Sequence, residues 1–200
     1  MYLNEDSDHE VVAFTATTDR ITEKFFSGLP LVPFETVATL YPPSRHRMFV
    51  AVGYTGMNRL RSHFYVEARS LGYELISYVS SRALVRSPSV GDNSCILDGA
   101  IIEPFATIGN DVIVWSGAHV SHHSTVGDHS FLGPGVTIAS NSSVGRHCFL
   151  GVNATVRDSV SIADDCLIGA GALVLRDISP RQVLVADESR PYPGDIERFF

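Results

Sequence analysis

The sequence predicts a small parallel α/β domain up to about residue 82, followed by a coiled parallel sheet with six-residue sides. Every sixth position of the second part is aliphatic, and the residue two places before it is nearly always small. A period of six fits neither an amphipathic helix nor a hairpin ladder, but it fits short strands that turn a corner every six residues. The aliphatic positions are Leu84, Val90, Ile96, Ile102, Ile108, Val114, Val120, Val126, Leu132, Ile138, Val144, Leu150, Val156, Ile162, Ile168 and Val174.

The first domain, residues 1–82, is predicted from apolar runs that do not alternate, a pattern typical of strands covered on both faces. One helix is expected between these runs, from about residue 58 to residue 70. Because acidic and polar residues precede the first apolar run, we expect a first strand and its following loop to be missing from this domain. The predicted strands are residues 11–16, 29–34, 48–53 and 73–80.

The repeat domain is predicted over residues 83–177, and a C-terminal extension over residues 178–200. The period of six fails after Val174, and the chain that follows is rich in proline and charge. We expect this extension to cross the last coil and to end in a short helix. It would then cover an edge that is otherwise free to pair with another sheet.

The corners of a three-sided coil can be read as columns, because residues eighteen apart lie above one another at about 4.8 Å. One column contains only glycine and asparagine, which tolerate a left-handed backbone, so we interpret it as structural. Two other columns contain side chains that can carry chemistry. They are Asp111, His129, His147 and Asp165, and the pairs 104–105, 122–123, 140–141, 158–159 and 176–177.

The charge balance excludes several partners. The formal net charge is -7, from 22 acidic and 15 basic residues without a basic cluster, so the field repels nucleic acid and anionic membranes. No apolar run approaches the ~20 residues that span a bilayer, and the first thirty residues are too acidic for a secretory signal. We therefore expect a cytoplasmic protein without membrane insertion. The three cysteines, Cys95, Cys148 and Cys166, have neither paired nor metal-binding spacing.

Four segments carry a resemblance to a known family: FVAVG at 49–53, MNRLRSHFYVEAR at 57–69, the link at 73–85, and HVSHHSTVGDHSFLGPG at 119–135. Together with the hexads, they resemble bacterial sugar acyltransferases of the left-handed β-helix superfamily. The branch is that of sialic acid O-acetyltransferases and amino-sugar-nucleotide N-acetyltransferases. The resemblance implies a Rossmann-like N-terminal domain, a left-handed parallel β-helix, acetyl-CoA as acyl donor, a sugar or sugar-nucleotide acceptor, and a homotrimer. It implies no metal.

The resemblance also implies the catalytic residues. Family members commonly place a catalytic histidine five residues before the glycine of a V-G-D sequence, which here makes His122 the candidate general base. The family often has an acidic residue next, where this chain has His123, the candidate orienting partner. Acyl transfer also needs a donor for the developing oxyanion, and the Ser140 amide, one coil later, is the candidate.

Further contacts are expected around this centre. Asn141 and Asp158 are the other candidate contacts of acetyl-CoA, on the same column as Ser140. The candidate substrate contacts are Trp115, His119, Gly53 and Asn58. Relatives often carry Asn-Thr where this chain has Trp115 and Ser116, so sugar specificity is not transferred.

The aromatic residues on outward or corner positions are Trp115, Phe131 and Phe149. Such side chains are usually covered, here by a neighbouring subunit or by the cofactor, and a subunit contact is the preferred interpretation. His119 is expected to pack at the same interface.

Other functions stay open at this point. His122 and His123 could be surface histidines without chemistry, and His129 and His147 could satisfy one another along an exposed edge. A metal-dependent hydratase would need a third ligand histidine two coils upstream, where the chain has Arg86 and Ser87. A non-catalytic binding or assembly protein is the other alternative. The acceptor atom, the sugar and the acyl group are also left open.

Overall fold

The computed structural model describes residues 2–87 and 89–188. Its N-terminal part contains a small mixed sheet and one long helix. Strands β1 and β3 are parallel, whereas β2 and β3 are antiparallel. The α-helices are α1 (Tyr2–Glu5), α2 (Val37–Leu40) and α3 (Arg59–Ser70), and the strands are β1 (Phe14–Ala16), β2 (Phe25–Phe26) and β3 (Leu29–Pro33). Short 3₁₀ turns lie at Thr18–Arg20 and Phe34–Thr36.

This part is smaller than the parallel α/β sheet predicted from the sequence. The predicted strands 48–53 and 73–80 form only one parallel bridge, between Met48 and Leu75. The segment docks on the repeat domain instead, because the Val50 N–H donates to Asn93 Oδ1 at 2.7 Å. The end of the second predicted strand, Tyr78–Val79, begins the repeat domain.

The repeat domain is a three-sided prism of stacked parallel sheets. The first face contains β4 (Tyr78–Val79), β6 (Cys95–Ile96), β9 (Ile113–Val114), β12 (Phe131–Leu132), β15 (Phe149–Leu150), β18 (Leu167–Ile168) and β20 (Val183–Leu184). The second contains β5 (Leu84–Val85), β7 (Ile101–Ile102), β10 (His119–Val120), β13 (Thr137–Ile138), β16 (Thr155–Val156) and β19 (Leu173–Val174). The third contains β8 (Thr107–Ile108), β11 (Thr125–Val126), β14 (Ser143–Val144) and β17 (Ser161–Ile162).

The register of the prism follows the six-residue period. His119 pairs with Thr137 and with Ile101, eighteen residues away on either side, and the other strands of the central coils are spaced in the same way. The first coil is one residue shorter, because Leu84 pairs with Ile101 and Val85 with Ile102. Leu84, one of the predicted six-residue positions, is therefore 47% exposed, and Val85 pairs with the inward residue instead. From β6 to β19 the second residue of each strand points inward; Val120 and Ile138, for example, have no exposed surface. The parallel β-helix predicted from the repeat is confirmed, and the stacked sheets with their six-residue sides fit a left-handed coil.

The three corners of the prism have different roles, and we name them by what they carry. The groove corner joins the first face to the second and includes residues 115–118. The base corner joins the second face to the third and includes residues 121–124. The docking corner joins the third face to the first and includes residues 127–130.

The C-terminal extension adds β20 to the first face, where Leu167 pairs with Val183 above the last full coil. The short helix expected at the end of the chain lies outside the described residues. Within the described ranges, no helix is both long and apolar enough to cross a bilayer.

Candidate active site

The base corner holds His122 and His123 in a backbone conformation that is repeated in four successive coils. His123 has a left-handed φ of 58°, and Phe105 and Asn141, eighteen residues below and above it, have φ values of 66° and 57°. The repeated turn stacks equivalent residues of successive coils. His122 therefore lies directly between Pro104 and Ser140 in its column.

The His122 ring has a defined partner on each nitrogen. Its Nδ1 lies 3.0 Å from Nδ1 of His123, and its Nε2 lies 3.0 Å from the Ser140 hydroxyl oxygen. One proton must lie between the two Nδ1 atoms for this contact to be a hydrogen bond. When His122 supplies it, the lone pair on His122 Nε2 is free to accept a proton on the side of Ser140.

His123 is held from below by an aromatic contact. Its ring stacks on that of Phe105, with centroids 4.8 Å apart and an interplanar angle of 28°. Phe105 is 73% exposed, so this pair forms the outer surface of the corner. The predicted pairing of His122 with His123 is thus present in the geometry, whereas their catalytic roles remain a prediction.

Glu103 is a member of this site that the sequence analysis missed. Its Oε2 accepts the backbone N–H of His122 at 2.8 Å, and its Oε1 accepts from Nε2 of His119 at 2.8 Å. These bonds, first that from the His122 N–H and then that from the His119 ring, lower the pKa of Glu103. Glu103 and His122 are nineteen residues apart, so only the register of the coils indicates that they lie close together.

The residues predicted to contact the acyl donor differ in which of their groups are free to bind it. The Ser140 N–H has no hydrogen-bond partner among the described residues, so it fits the predicted oxyanion donor. The Asn141 N–H instead donates to the His122 carbonyl at 3.1 Å. The Asn141 N–H is therefore committed within the chain, and the contact of Asn141 with acetyl-CoA stays a prediction for its side chain. Asp158 lies exposed on the same corner, one coil above Ser140.

A groove of about 260 Å³ lies beside the groove corner. Its walls are Tyr54, Trp115, Phe131, Gly133, Pro134, Phe149 and Val152, of which none is charged. Phe131 and Phe149 stack in successive coils at 5.1 Å, and Tyr54 covers both at 5.2 and 5.1 Å. Trp115 and Tyr54 stay 40% and 58% exposed. The sequence predicted a subunit contact over Phe131, but Tyr54 of the same chain already covers it.

Two predicted substrate contacts, Gly53 and Asn58, lie in the segment that precedes α3. Asn58 is completely buried, its Nδ2 donates to the Cys148 carbonyl at 3.0 Å, and its Oδ1 accepts from Arg61 at 3.2 Å. Its amide therefore has protein partners on both ends, and Asn58 is a docking residue rather than the predicted substrate contact. Gly53 is exposed beside Tyr54, and its carbonyl accepts from Arg61 at 3.2 Å.

The docking corner is buried by α3. Arg61, 1% exposed, contacts Asp111 through its Nε at 3.1 Å and the His129 carbonyl at 2.9 Å. Asp111 also accepts from the His129 ring at 2.8 Å. The alternative that His129 and His147, in the same column as Asp111, lie along an exposed edge does not hold for His129, which is 5% exposed.

His147 continues this column above His129. The two rings stack at 4.7 Å, and the buried Nδ1 of His147 has no hydrogen-bond partner among the described residues. Burial, followed by the positive charge of Arg59, lowers the pKa of His147 to about 4. The ring is therefore neutral near neutral pH and serves packing rather than proton transfer.

Cysteine and metal chemistry have little support in the described residues. Burial raises the pKa of Cys95 to about 11 and that of Cys148 to about 12, so neither thiol is an activated nucleophile. In the part of the chain that the structure describes, no three His, Cys, Asp or Glu residues lie close enough together to hold a metal ion.

Comparison with known proteins identifies the repeat and its relatives. A model described as bacterial transferase hexapeptide (six repeats) matches residues 87–122 and 105–140. A second, described as hexapeptide repeat of succinyl-transferase, matches residues 142–176. A search of curated protein sequences gave no significant match.

Solved structures match over most of the chain. PerB from Caulobacter crescentus, in complex with CoA and GDP-perosamine, is 36% identical, with 82% of this chain and 78% of that chain covered and a TM-score of 0.73. A histidine-to-asparagine mutant of perosamine N-acetyltransferase from Caulobacter crescentus, with the same ligands, is 34% identical over 78% and 74%, with a TM-score of 0.72. The acetyltransferase domain of PglB from Neisseria gonorrhoeae, in complex with acetyl coenzyme A, is 26% identical over 82% and 80%, with a TM-score of 0.74.

Proposed function

Because this chain belongs to the hexapeptide-repeat sugar acetyltransferases, we propose that it transfers the acetyl group of acetyl-CoA to an amine of a nucleotide-linked sugar. The observation that carries the proposal is the His122 ring, whose Nε2 is already within hydrogen-bond distance of a hydroxyl at 3.0 Å. Support for an amine acceptor comes from the relatives that are 34–36% identical and hold CoA with GDP-perosamine.

His122 is the general base of the proposed reaction. The acceptor nitrogen attacks the thioester carbonyl carbon, and its proton passes to His122 Nε2 at the position where the Ser140 hydroxyl now lies. The carbon–sulfur bond then breaks, and the thiolate takes the proton from His122. A base in this position typically contributes about 10²–10⁴ to the rate.

Ser140 has two parts in this arrangement. Its hydroxyl marks the hydrogen-bond position on His122 Nε2 that the acceptor takes over. Its N–H, which has no partner among the described residues, is the proposed oxyanion donor. A backbone N–H on a rigid coil is suited to this, because it needs no rearrangement when charge develops on the carbonyl oxygen. Asp158, on the same corner, is a proposed contact for the rest of the acyl donor.

The uncharged groove beside Trp115 is the proposed site for the sugar part of the acceptor. Aromatic faces suit the C–H faces of a pyranose ring, and a groove of about 260 Å³ is smaller than the roughly 300–1,000 Å³ of pockets for drug-sized ligands, so it fits only part of a nucleotide-linked sugar. The nucleotide part is then left to the N-terminal domain near Gly53, which we propose to be Rossmann-like in function.

A homotrimer is proposed because groove and base lie on different corners of the prism. Trp115 and His122 are separated by the second face, a strand path on the order of 20 Å for six residues. A sugar bound beside Trp115 is therefore remote from the base of its own chain. A neighbouring copy placing its base corner beside this groove completes the site.

The proposed activity is tested by CoA release. Purified protein with acetyl-CoA is given amino-sugar nucleotides, GDP-perosamine first, and matched sugar nucleotides that carry only hydroxyls. Release of CoA with the amines alone, together with an acetylated amine in the product, supports N-acetylation. Turnover with the hydroxyl sugars alone would replace it by O-acetylation. No turnover across the panel would favour the non-catalytic alternative.

A further inference from the structure

We infer that Glu103 is a positioning residue of the proposed reaction, which holds the corner that carries His122 and supplies the negative charge opposite its protonated ring. This inference rests on the proposed role of His122 as base. It concerns how a carboxylate one coil below His122 affects that base.

The first support is the pattern of hydrogen bonds. One oxygen of Glu103 holds the main chain of His122 at 2.8 Å, and the other holds the ring of His119 at 2.8 Å. A carboxylate only accepts, so His119 Nε2 must carry a proton and its tautomer is fixed. Both carboxylate oxygens are therefore committed, and the side chain links two coils at the candidate base.

The second support is the charge balance of the corner. His122 becomes positive when it takes a proton, and the partner of its Nδ1 is another imidazole rather than a carboxylate. His123 orients the ring, but it adds no negative charge. The groups that face the corner from neighbouring elements are Glu103 below, His119 on β10 and the Ser140 hydroxyl above. Of these described groups, only Glu103 is an anion; Asp158, the next carboxylate on this corner, lies two coils above His122.

The third support is the response of Glu103 itself. The His122 N–H and the His119 ring hold the pKa of Glu103 below its usual value, so the side chain is an anion at neutral pH. In the proposed reaction, this anion stabilises the positive charge that the His122 ring acquires when it takes the proton.

The test separates charge from shape with Glu103→Gln. The amide keeps the length of the side chain and an acceptor for the His122 N–H, but it removes the charge. We expect the plateau of kcat/KM to fall about threefold to tenfold, because a weaker base transfers the proton less readily. We also expect the midpoint of the acid limb to move to lower pH by about half a unit, a small shift because the corner is partly exposed.

A matched control and a rescue make the result specific. Asp164→Asn removes the charge from a carboxylate that accepts a corner N–H in the same way, from Arg146 at 2.7 Å, at the docking corner. We expect Asp164→Asn to change neither the plateau of kcat/KM nor the midpoint of its acid limb. In the Glu103→Gln background, His123→Glu places a carboxylate beside the base again, and we expect it to return the midpoint and part of the plateau. A role in packing alone predicts no such rescue.

Two outcomes would overturn the inference: an unchanged acid limb in Glu103→Gln, or a shift of the same size in Asp164→Asn. If the wild-type protein shows no turnover, the proposed function fails first, and NMR titration of the His122 ring then tests Glu103 separately. An equal midpoint for that ring in wild-type and Glu103→Gln protein would contradict the role of Glu103. A titration midpoint of the His122 ring that is lower in Glu103→Gln than in wild-type protein supports the role of Glu103 even when no acyl transfer is observed.

Discussion

At the scale of residues, the candidate site depends on side chains that the coil brings together across eighteen or nineteen positions. His122 could be found from the sequence, because it precedes a V-G-D segment at the spacing that the family uses. Ser140 could be placed above it, because the period fixes which residues stack. The same period places Glu103 below Ser121, but its bond to the His122 N–H could not be predicted, since that bond depends on how a flexible side chain bends toward the next coil.

Trp115→Ala tests the acceptor groove at this scale. Removing the indole takes one aromatic wall from a site without charged groups, so we expect the acceptor KM to rise about tenfold, of the order expected for loss of an aromatic contact. The KM for acetyl-CoA should stay unchanged. Val66→Ala, at an exposed apolar position of α3, is the control. A normal acceptor KM in Trp115→Ala would move the acceptor elsewhere.

At the scale of elements, α3 docks on the prism through polar groups. Arg61, Tyr65 and Ala68 form its buried side, and Arg61 lies against Asp111 with neither side chain exposed beyond 1%. Breaking such a buried pair by removing one partner is strongly destabilising, so this contact fixes how the helix sits. The sequence predicts a helix from about residue 58 to residue 70 but not its docking on the prism. The docking buries Asn58 and occupies both ends of its amide.

Acid stability tests this docking through His147. The pKa of His147 is lowered from 6.5 to about 4 in the folded protein, so between these values the unfolded chain binds more protons and stability falls as the pH drops. We expect a lower melting temperature at about pH 5 than at about pH 7.5. His147→Asn, which suits the left-handed φ of 54°, should reduce that difference.

The chosen pH window separates His147 from the carboxylates. Asp6, Glu35 and Glu103 have lowered pKa values, so their contributions are lost only below about pH 4.5, under the window used. An equal difference in melting temperature between the two pH values in wild-type and His147→Asn protein would contradict the buried, neutral ring.

At the scale of the whole molecule, the prism was predictable and the N-terminal domain only partly so. A hexad repeats the same local choice in every coil, so one period fixes strands, corners and core together. The N-terminal residues have no repeat, and their apolar runs do not show whether a segment pairs in its own sheet or docks on the prism. Val50 docks on the prism, because its N–H donates to Asn93 Oδ1.

The central claim is that this prism carries an acetyltransferase centre with His122 as base, and CoA release by His122→Asn tests it most directly. The side chain lies on an exposed corner, so we expect an unchanged melting temperature and acetyl-CoA binding, with kcat lower by roughly 10²–10⁴. His63→Asn, at an exposed histidine of α3, is the control and should keep full activity. A His122→Asn protein that releases CoA at the wild-type rate would contradict the account.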